Sequence, residues 1–186
     1  MGRVSQAQAE ENRRRVVGTA SRLFREQGMQ VSVADLMKAA GLTHGAFYKQ
    51  FASKEALVDE ATAHAFAEFA RLHSAGLEQY DGQRAAAQQA LIDTYLSVEH
   101  RDDPADGCPV AALATDIARE GGGREARRVY SEGVADFADF LDGDDQDGIV
   151  RLCTLFGALV LSRATKGSPL SGEILAAARA ALTEAG

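Results

Sequence analysis

This chain has little proline, little cysteine and no apolar run of membrane length, and each shortage removes a class of protein. Three prolines in 186 residues, with no sustained alternation of apolar and polar residues, argue for an all-α protein. Two cysteines in a chain this long make no disulfide framework. The longest apolar stretch, CTLFGALVL at residues 153–161, falls far short of the ~20 residues needed to cross a bilayer. The opening MGRVSQAQAEENRRR is polar throughout, unlike a secretory leader. A reduced, cytoplasmic protein with no membrane partner is expected. Catalytic signatures are missing as well. His44, His64, His73 and His100 lack metal-ligand spacing, and there is no glycine-rich phosphate loop or nucleophile elbow. No metal, cofactor or enzyme site is expected.

What is present is a helical chain with a lopsided charge. Hydrophobic residues make up 46%, enough for a sizeable core and too many for disorder. The net charge is −7, yet residues 1–54 hold nine Lys/Arg against four Asp/Glu, a net of +5. Residues 55–186 hold eleven against twenty-three, a net of −12. A basic first part on an acidic remainder locates nucleic-acid contact near the N-terminus.

Residues 32–55, SVADLMKAAGLTHGAFYKQFASKE, carry the sharpest signal. Ser32 is an N-cap residue, with Asp35 at the capping-box position. Val33, Leu36, Met37 and Ala40 follow at helical spacing, and Gly41 stands where a left-handed C-cap is wanted. Thr43 is expected to cap a second short helix, with Ala46, Phe47 and Phe51 inward. His44, Gly45, Tyr48 and Lys49 are left outward, a small residue, an aromatic hydroxyl and a cation suited to a phosphate backbone and a groove. Ser53 caps a third helix. Lys54 in its first turn opposes the helix dipole, which suggests an outside anion. The pattern is a helix-turn-helix.

Here the chain resembles the TetR/AcrR family of transcriptional regulators. The residues that carry the resemblance are Ala40-Gly41-Leu42-Thr43, Gly45, Phe47-Tyr48, Phe51 and Ser53-Lys54-Glu55, and it spans roughly residues 10–60. It implies a DNA-binding domain at residues 1–54 and a helical effector-binding and dimerisation domain at 55–186, about nine helices in all. The DNA-binding residues would be Ser32, Thr43, His44, Gly45, Phe47, Tyr48, Lys49 and Lys54. Partners would be a pseudopalindromic double-stranded operator, a small-molecule effector and a second copy of the chain. In this family the last two long helices make the dimer.

The rest of the chain reads as successive helices. Residues 9–27 carry the stripe Val16, Val17, Ala20, Leu23 and Phe24, and Arg13, Arg14 and Arg15 near its start are candidate phosphate contacts. A long helix at 53–79 is the expected mechanical link between the two parts. One at 82–100 precedes Asp102-Asp103-Pro104, and a sixth, with Pro109 in its first turn, is expected to stop at Gly121-Gly122-Gly123. A seventh follows, ending near Leu141. The acidic DGDDQDG fails as a calcium loop, since Asp147 and Cys153 stand where glycine and glutamate belong. It is read as an acidic cap.

Residues 147–166 are apolar on two sides, one for the core and one for a second copy, with Leu159 and Leu182 taken as outer-face positions. The last helix follows Gly167-Ser168-Pro169. Phe66, Phe69, Tyr95, Leu113, Ile117, Phe137 and Phe156 are core candidates, some of which the resemblance would place around an effector. Cys108, His64 and Thr115 are candidate polar handles, and Arg119 or Arg163 would anchor an acidic group. This mostly apolar set favours a hydrophobic or amphipathic effector. An alternative reading is a thiol-based redox sensor or helical cysteine-dependent enzyme using Cys108, whose place at a helix start favours a thiolate.

Overall fold

The computed structural model describes residues 6–119, 123–143 and 147–184. Among the described residues the chain forms nine α-helices and one 3₁₀ helix, with no strand. They are α1 (Gln6–Gln27), α2 (Val33–Ala39), a 3₁₀ helix (His44–Lys49), α3 (Lys54–Gln79), α4 (Arg84–Tyr95), α5 (Val98–Asp102), α6 (Pro109–Ala118), α7 (Arg124–Leu141), α8 (Gly148–Ala164) and α9 (Pro169–Glu184). The helix expected across residues 82–100 is divided. Leu96 closes α4, and Ser97 starts α5 by accepting the His100 amide at 3.1 Å. A side-chain cap thus outcompetes continuation of the helix.

Two hydrophobic cores organise these helices. The first joins α1, α2, the 3₁₀ helix and the first turns of α3, around Val16, Phe24, Leu36, Met37, Phe47, Phe51 and Leu57. Each such fully buried side chain contributes roughly 1.5–3 kcal/mol of transfer free energy. Leu113 and Ile117 of α6 also sit in this core, and so does Ala126 of α7. The second core lies between α3, α4, α7, α8 and α9, around Ile92, Phe137, Leu141, Leu155 and Leu159.

The 26 residues of α3 extend about 39 Å and take part in both cores. Close passage of α7 past α3 depends on Gly133, where a Cβ would stand 2.1 Å from the Phe66 ring. Gly148 does the same for α7 and α8, because a Cβ there would meet the Ala138 carbonyl at 2.2 Å. The acidic segment caps α8, as expected. Asp142 accepts the Gly148 amide at 2.9 Å, while Asp147 pairs with Arg151 one turn on. Gly121 and Gly122, expected to end the sixth helix, and residues 144–146 lie outside the described residues.

Helix α8 has two apolar faces, and the structure corrects which residues form each. Leu159 is fully buried within the protomer, and so nearly is Leu182, because both lie on the side turned to the second core. The outward stripe consists of Ile149, Val150, Val160 and Leu161, 71%, 66%, 39% and 55% exposed.

Candidate DNA-binding surface and effector cavity

The helix-turn-helix is built from local hydrogen bonds that its sequence specifies. Ser32 Oγ accepts the Asp35 amide at 3.1 Å and donates to the Asp35 carboxylate at 2.6 Å, so the acid braces the cap through its side chain. At the other end Gly41 takes φ +70°, a left-handed conformation that favours glycine. Its amide bonds to the Lys38 carbonyl at 3.0 Å, and the Leu42 amide bonds to Met37 at 2.8 Å. That pair of bonds is a Schellman motif, with Leu42 and Met37 in apolar contact with the same core.

The chain then enters the 3₁₀ helix. Thr43 does not cap it through its side chain; only its carbonyl is used, by the Ala46 amide at 2.9 Å. The exposed Thr43 hydroxyl has no part in holding the turn. Thr43, His44, Gly45, Tyr48 and Lys49 all stand exposed on this segment. Tyr48 is 66% exposed, held edge-on between the His44 and Phe47 rings at 5.9 and 5.1 Å. A Cβ added at Gly45 would meet nothing within 4 Å, and no positive φ is needed there. Internal packing does not require a glycine at this position.

Three expected contacts are placed elsewhere. Phe47 is fully buried and stacks on Phe51 at 5.4 Å, so it supports the surface from below and reaches no ligand. Its apolar ring cannot face water without a cost of a few kcal/mol. Lys54 donates to the Met29 carbonyl at 2.7 Å, which answers its charge within the molecule. Arg13 bonds to the Gln50 carbonyl and to Glu60, and lies 4.4 Å over the Phe51 ring. It is structural. Arg14 and Arg15 are exposed, bonded only to Glu11 and Asn12 on their own helix. Ser32 is exposed beside the same surface.

Behind this surface, between α3, α4 and the loop leading into α6, lies a cavity of about 430 Å³. Phe69, Leu72, His73, Leu91, Tyr95, His100, Cys108 and Phe140 provide most of its wall, and Asp106 and Gly107 complete one side. Of the expected lining residues it therefore contains Phe69, Tyr95 and Cys108. Phe66 and Phe137 line a smaller cleft of about 230 Å³ on the α7 side, which shares Phe69 and His73.

The remaining candidates lie elsewhere. His64 faces α1 and Glu68, with the carboxylate at 3.5 Å. Leu113 and Ile117 are committed to the first core, because α6 turns its apolar face toward the head. Thr115, on the opposite face of α6, is exposed, and so is Arg119. Phe156 is packed against the second core. Arg163 bonds to the carbonyls of His100 and Arg101 at 3.0 Å and is not among the residues lining the cavity. His73 was the residue most readily missed; its only signal is that it follows Phe69 by four on one helix face.

Burial sets the protonation states in the cavity. It pushes the Tyr95 hydroxyl well up and raises the Cys108 thiol, so both are neutral at physiological pH. Burial lowers His73 to about 4 and lowers His100, so both imidazoles are uncharged. His100 is tied at both nitrogens: Nδ1–H donates to the Tyr95 carbonyl at 2.7 Å, and Nε2 accepts the Cys108 amide at 3.3 Å.

The cavity wall is bonded to the DNA-binding head. Arg25, buried at the end of α1, donates to the Gly107 carbonyl at 3.2 Å, and Arg22 pairs with Asp106. From α6, Asp116 accepts the Met29 amide at 2.9 Å. Met29 is thus held through its N–H by α6 and through its carbonyl by Lys54 of α3.

Comparison with known proteins agrees with this geometry. Residues 16–61 match the family described as bacterial regulatory proteins, tetR family. Over 61 residues, 32% of this chain, the sequence is 39% identical to the HTH-type transcriptional regulator AcrR of Shigella flexneri, and the match spans 28% of that protein. The crystal structure of E. coli NemR in its reduced form superposes with a TM-score of 0.78 at 18% identity, over 94% of this chain and 96% of that one. A TetR transcriptional regulator from Chloroflexus aurantiacus gives 0.75 at 23% identity, over 95% and 94%. A TetR-family regulator from Agrobacterium tumefaciens gives 0.78 at 17%, over 95% and 98%. At these identities the structures establish the fold. Residues 16–61 are thus similar to the tetR family of bacterial regulatory proteins, and the chain as a whole has the fold that solved TetR-family regulators share.

Proposed function

We propose that the chain is a homodimeric transcriptional repressor that binds a pseudopalindromic operator and leaves it when a small molecule occupies the cavity between α3, α4 and α6. The observation that carries this reading is the outward cluster of Thr43, His44, Gly45, Tyr48 and Lys49 on a turn locked by Gly41. In this reading Thr43, His44, Gly45 and Lys49 approach base edges, and Tyr48 and Ser32 meet phosphates. Residues 1–54 contact DNA, and 55–186 sense and dimerise. Two copies related by a two-fold axis place two such surfaces on half-sites about one helical turn apart, or a multiple of it. The exposed stripe on α8, continued onto α9, supplies the contact between copies, since soluble monomers rarely leave such a patch uncovered.

The release mechanism runs through the loop before α6. Asp106 and Gly107 line the cavity and are held by Arg22 and Arg25 of α1. A ligand that displaces this wall shifts α1 and the turn at Met29 with it. It acts only if it binds the DNA-incompetent arrangement more tightly. A coupling of ~1–3 kcal/mol corresponds to a loss of operator affinity of ~5–150-fold. The alternative, a thiolate sensor at Cys108, is disfavoured by burial, which holds that thiol protonated.

Selection from a random DNA pool at low salt, followed by competition with the selected site, tests the reading. A pseudopalindromic sequence is the expected result. Failure to enrich any sequence would overturn it. Retention of release by effector in Cys108→Ser separates the cavity mechanism from the thiol one.

A further inference from the structure

Two buried polar atoms on the cavity wall have no nitrogen or oxygen to bond to. From them we infer that the ligand is an uncharged aromatic molecule bearing a hydroxyl or carbonyl oxygen, a phenol or an aryl ketone. This rests on the effector reading above. Tyr95 is 4% exposed, and its hydroxyl has only the weakly bonding Cys108 thiol beside it. His73 Nε2 is buried and unpartnered too. Both side chains line the same cavity. A polar atom taken from water and left unsatisfied is a penalty that a ligand oxygen relieves on binding. A hydroxyl on the ligand suits either atom, because a tyrosine hydroxyl donates or accepts and a neutral imidazole nitrogen does one of the two. A carbonyl suits a donor.

Charge and shape narrow the class further. Among the described residues no lysine or arginine lines this cavity. Asp106, its one carboxylate, is already paired with Arg22. His100 has both nitrogens occupied. Arg163 lies behind the wall, bonded to the His100 and Arg101 carbonyls. An anion or cation would therefore lose its hydration with no free counter-charge lining the cavity to meet it. The walls are flat and aromatic. Phe69, His73, Tyr95 and Phe140 all line the cavity, and Phe69 meets the His73 ring edge-on at 4.1 Å. Planar rings suit such a wall better than sugars or branched aliphatics. The neighbouring cleft, with Glu132 and Asp136 at its mouth, would suit an organic cation instead. It holds no orphaned tyrosine hydroxyl.

The experiment uses four probes of one ring system: naphthalene, 1-naphthol, 1-naphthoate and 1-naphthylmethylammonium. The chain has no tryptophan, so probe emission is read without that background. On the full-length protein 1-naphthol is expected to bind roughly tenfold tighter than naphthalene or either ion. Tyr95→Phe and His73→Phe should each remove a large part of that advantage, read as the ratio of naphthol to naphthalene affinity within the same variant. Tyr95→Phe should also raise the melting temperature of the ligand-free protein, where a bonded structural hydroxyl would lower it. If His73→Phe folds poorly, Tyr95→Phe carries the test alone.

Tightest binding of either ion, equal binding of naphthol and naphthalene, or an unchanged ratio in Tyr95→Phe would each overturn the inference. If the wild type selects an operator but binds none of the probes, the ligand class is wrong and the regulator reading stands. If naphthol binds as expected but leaves operator affinity unaltered, the ligand class stands and release by this site is wrong.

Discussion

The head and the cavity differ in how they treat polar groups. In the head, buried polar atoms are mostly answered from within: Lys54 by the Met29 carbonyl, Arg13 by Gln50 and Glu60, and the end of α2 by Gly41 and Leu42. Ser21 Oγ and Gln50 Oε1 are buried without a partner there, but neither lines the cavity. On the cavity wall the atoms left short of partners, Tyr95 Oη and His73 Nε2, border a void. Under the proposed function, a surface that meets a rigid duplex is braced in advance, and a pocket that must distinguish a ligand from water keeps bonding capacity in reserve.

The strongest way to break the comparison is to remove the support beneath the head. Phe47→Ala takes out a fully buried ring and should cost about 3–5 kcal/mol. DNA binding should be lost while the cavity still binds its aromatic probe, as read by denaturation and probe fluorescence on one sample. Loss of both would mean that the two cores fold as one unit.

Acid should act on the cavity and spare the head. Folding holds His73 near 4 against the usual 6.5, so on acidification the unfolded chain takes up a proton first. Stability is complete above about pH 6.5, falls as pH drops toward 4, and levels off below. The loss from this group is at most about 3 kcal/mol. His100, shifted in the same direction by burial, adds to it. Urea denaturation across this range should show the slope, and His73→Phe should flatten it.

A charge on the outward stripe of α8 tests assembly. Ile149→Glu or Leu161→Glu should give a monomer by light scattering, with the protomer still folded, because both side chains are more than half exposed. Leu159→Glu should instead unfold the protomer. A stable wild-type monomer at micromolar concentration would refute the dimer.

The smallest effect on stability sharpens the comparison most. Gly45→Ala meets nothing within the protein and needs no unusual backbone angle. Its melting temperature should be unchanged or slightly raised. Operator affinity should nevertheless fall by about tenfold, through the methyl group's approach to the duplex. Unchanged affinity would remove Gly45 from the interface.

The head was largely legible in the sequence because its determinants are local. Ser32, Asp35, Gly41 and the apolar spacing between them act over a few residues, and each has a known backbone consequence. The exceptions are the Thr43 side chain, which does not cap, and Lys54, which looked free because Met29 lies 25 residues away. Phe47 is buried as its spacing indicated, and only the resemblance placed it on the interface. The cavity was far less legible. Its wall brings together α3, α4, α7 and the loop at 106–108, and nothing in the spacing of Leu113, Ile117 or Phe156 shows which core each will join.

By itself, then, the sequence determined the helical class, the turn geometry of the DNA-binding unit and the segregation of positive charge toward it. These follow from propensity, capping and composition. Only the tertiary structure decided which side of α8 is left uncovered, which aromatic side chains surround a void and which polar atoms go unpaired. A periodic pattern shows that a helix has an apolar face, but the direction of that face depends on how every other helix packs against it.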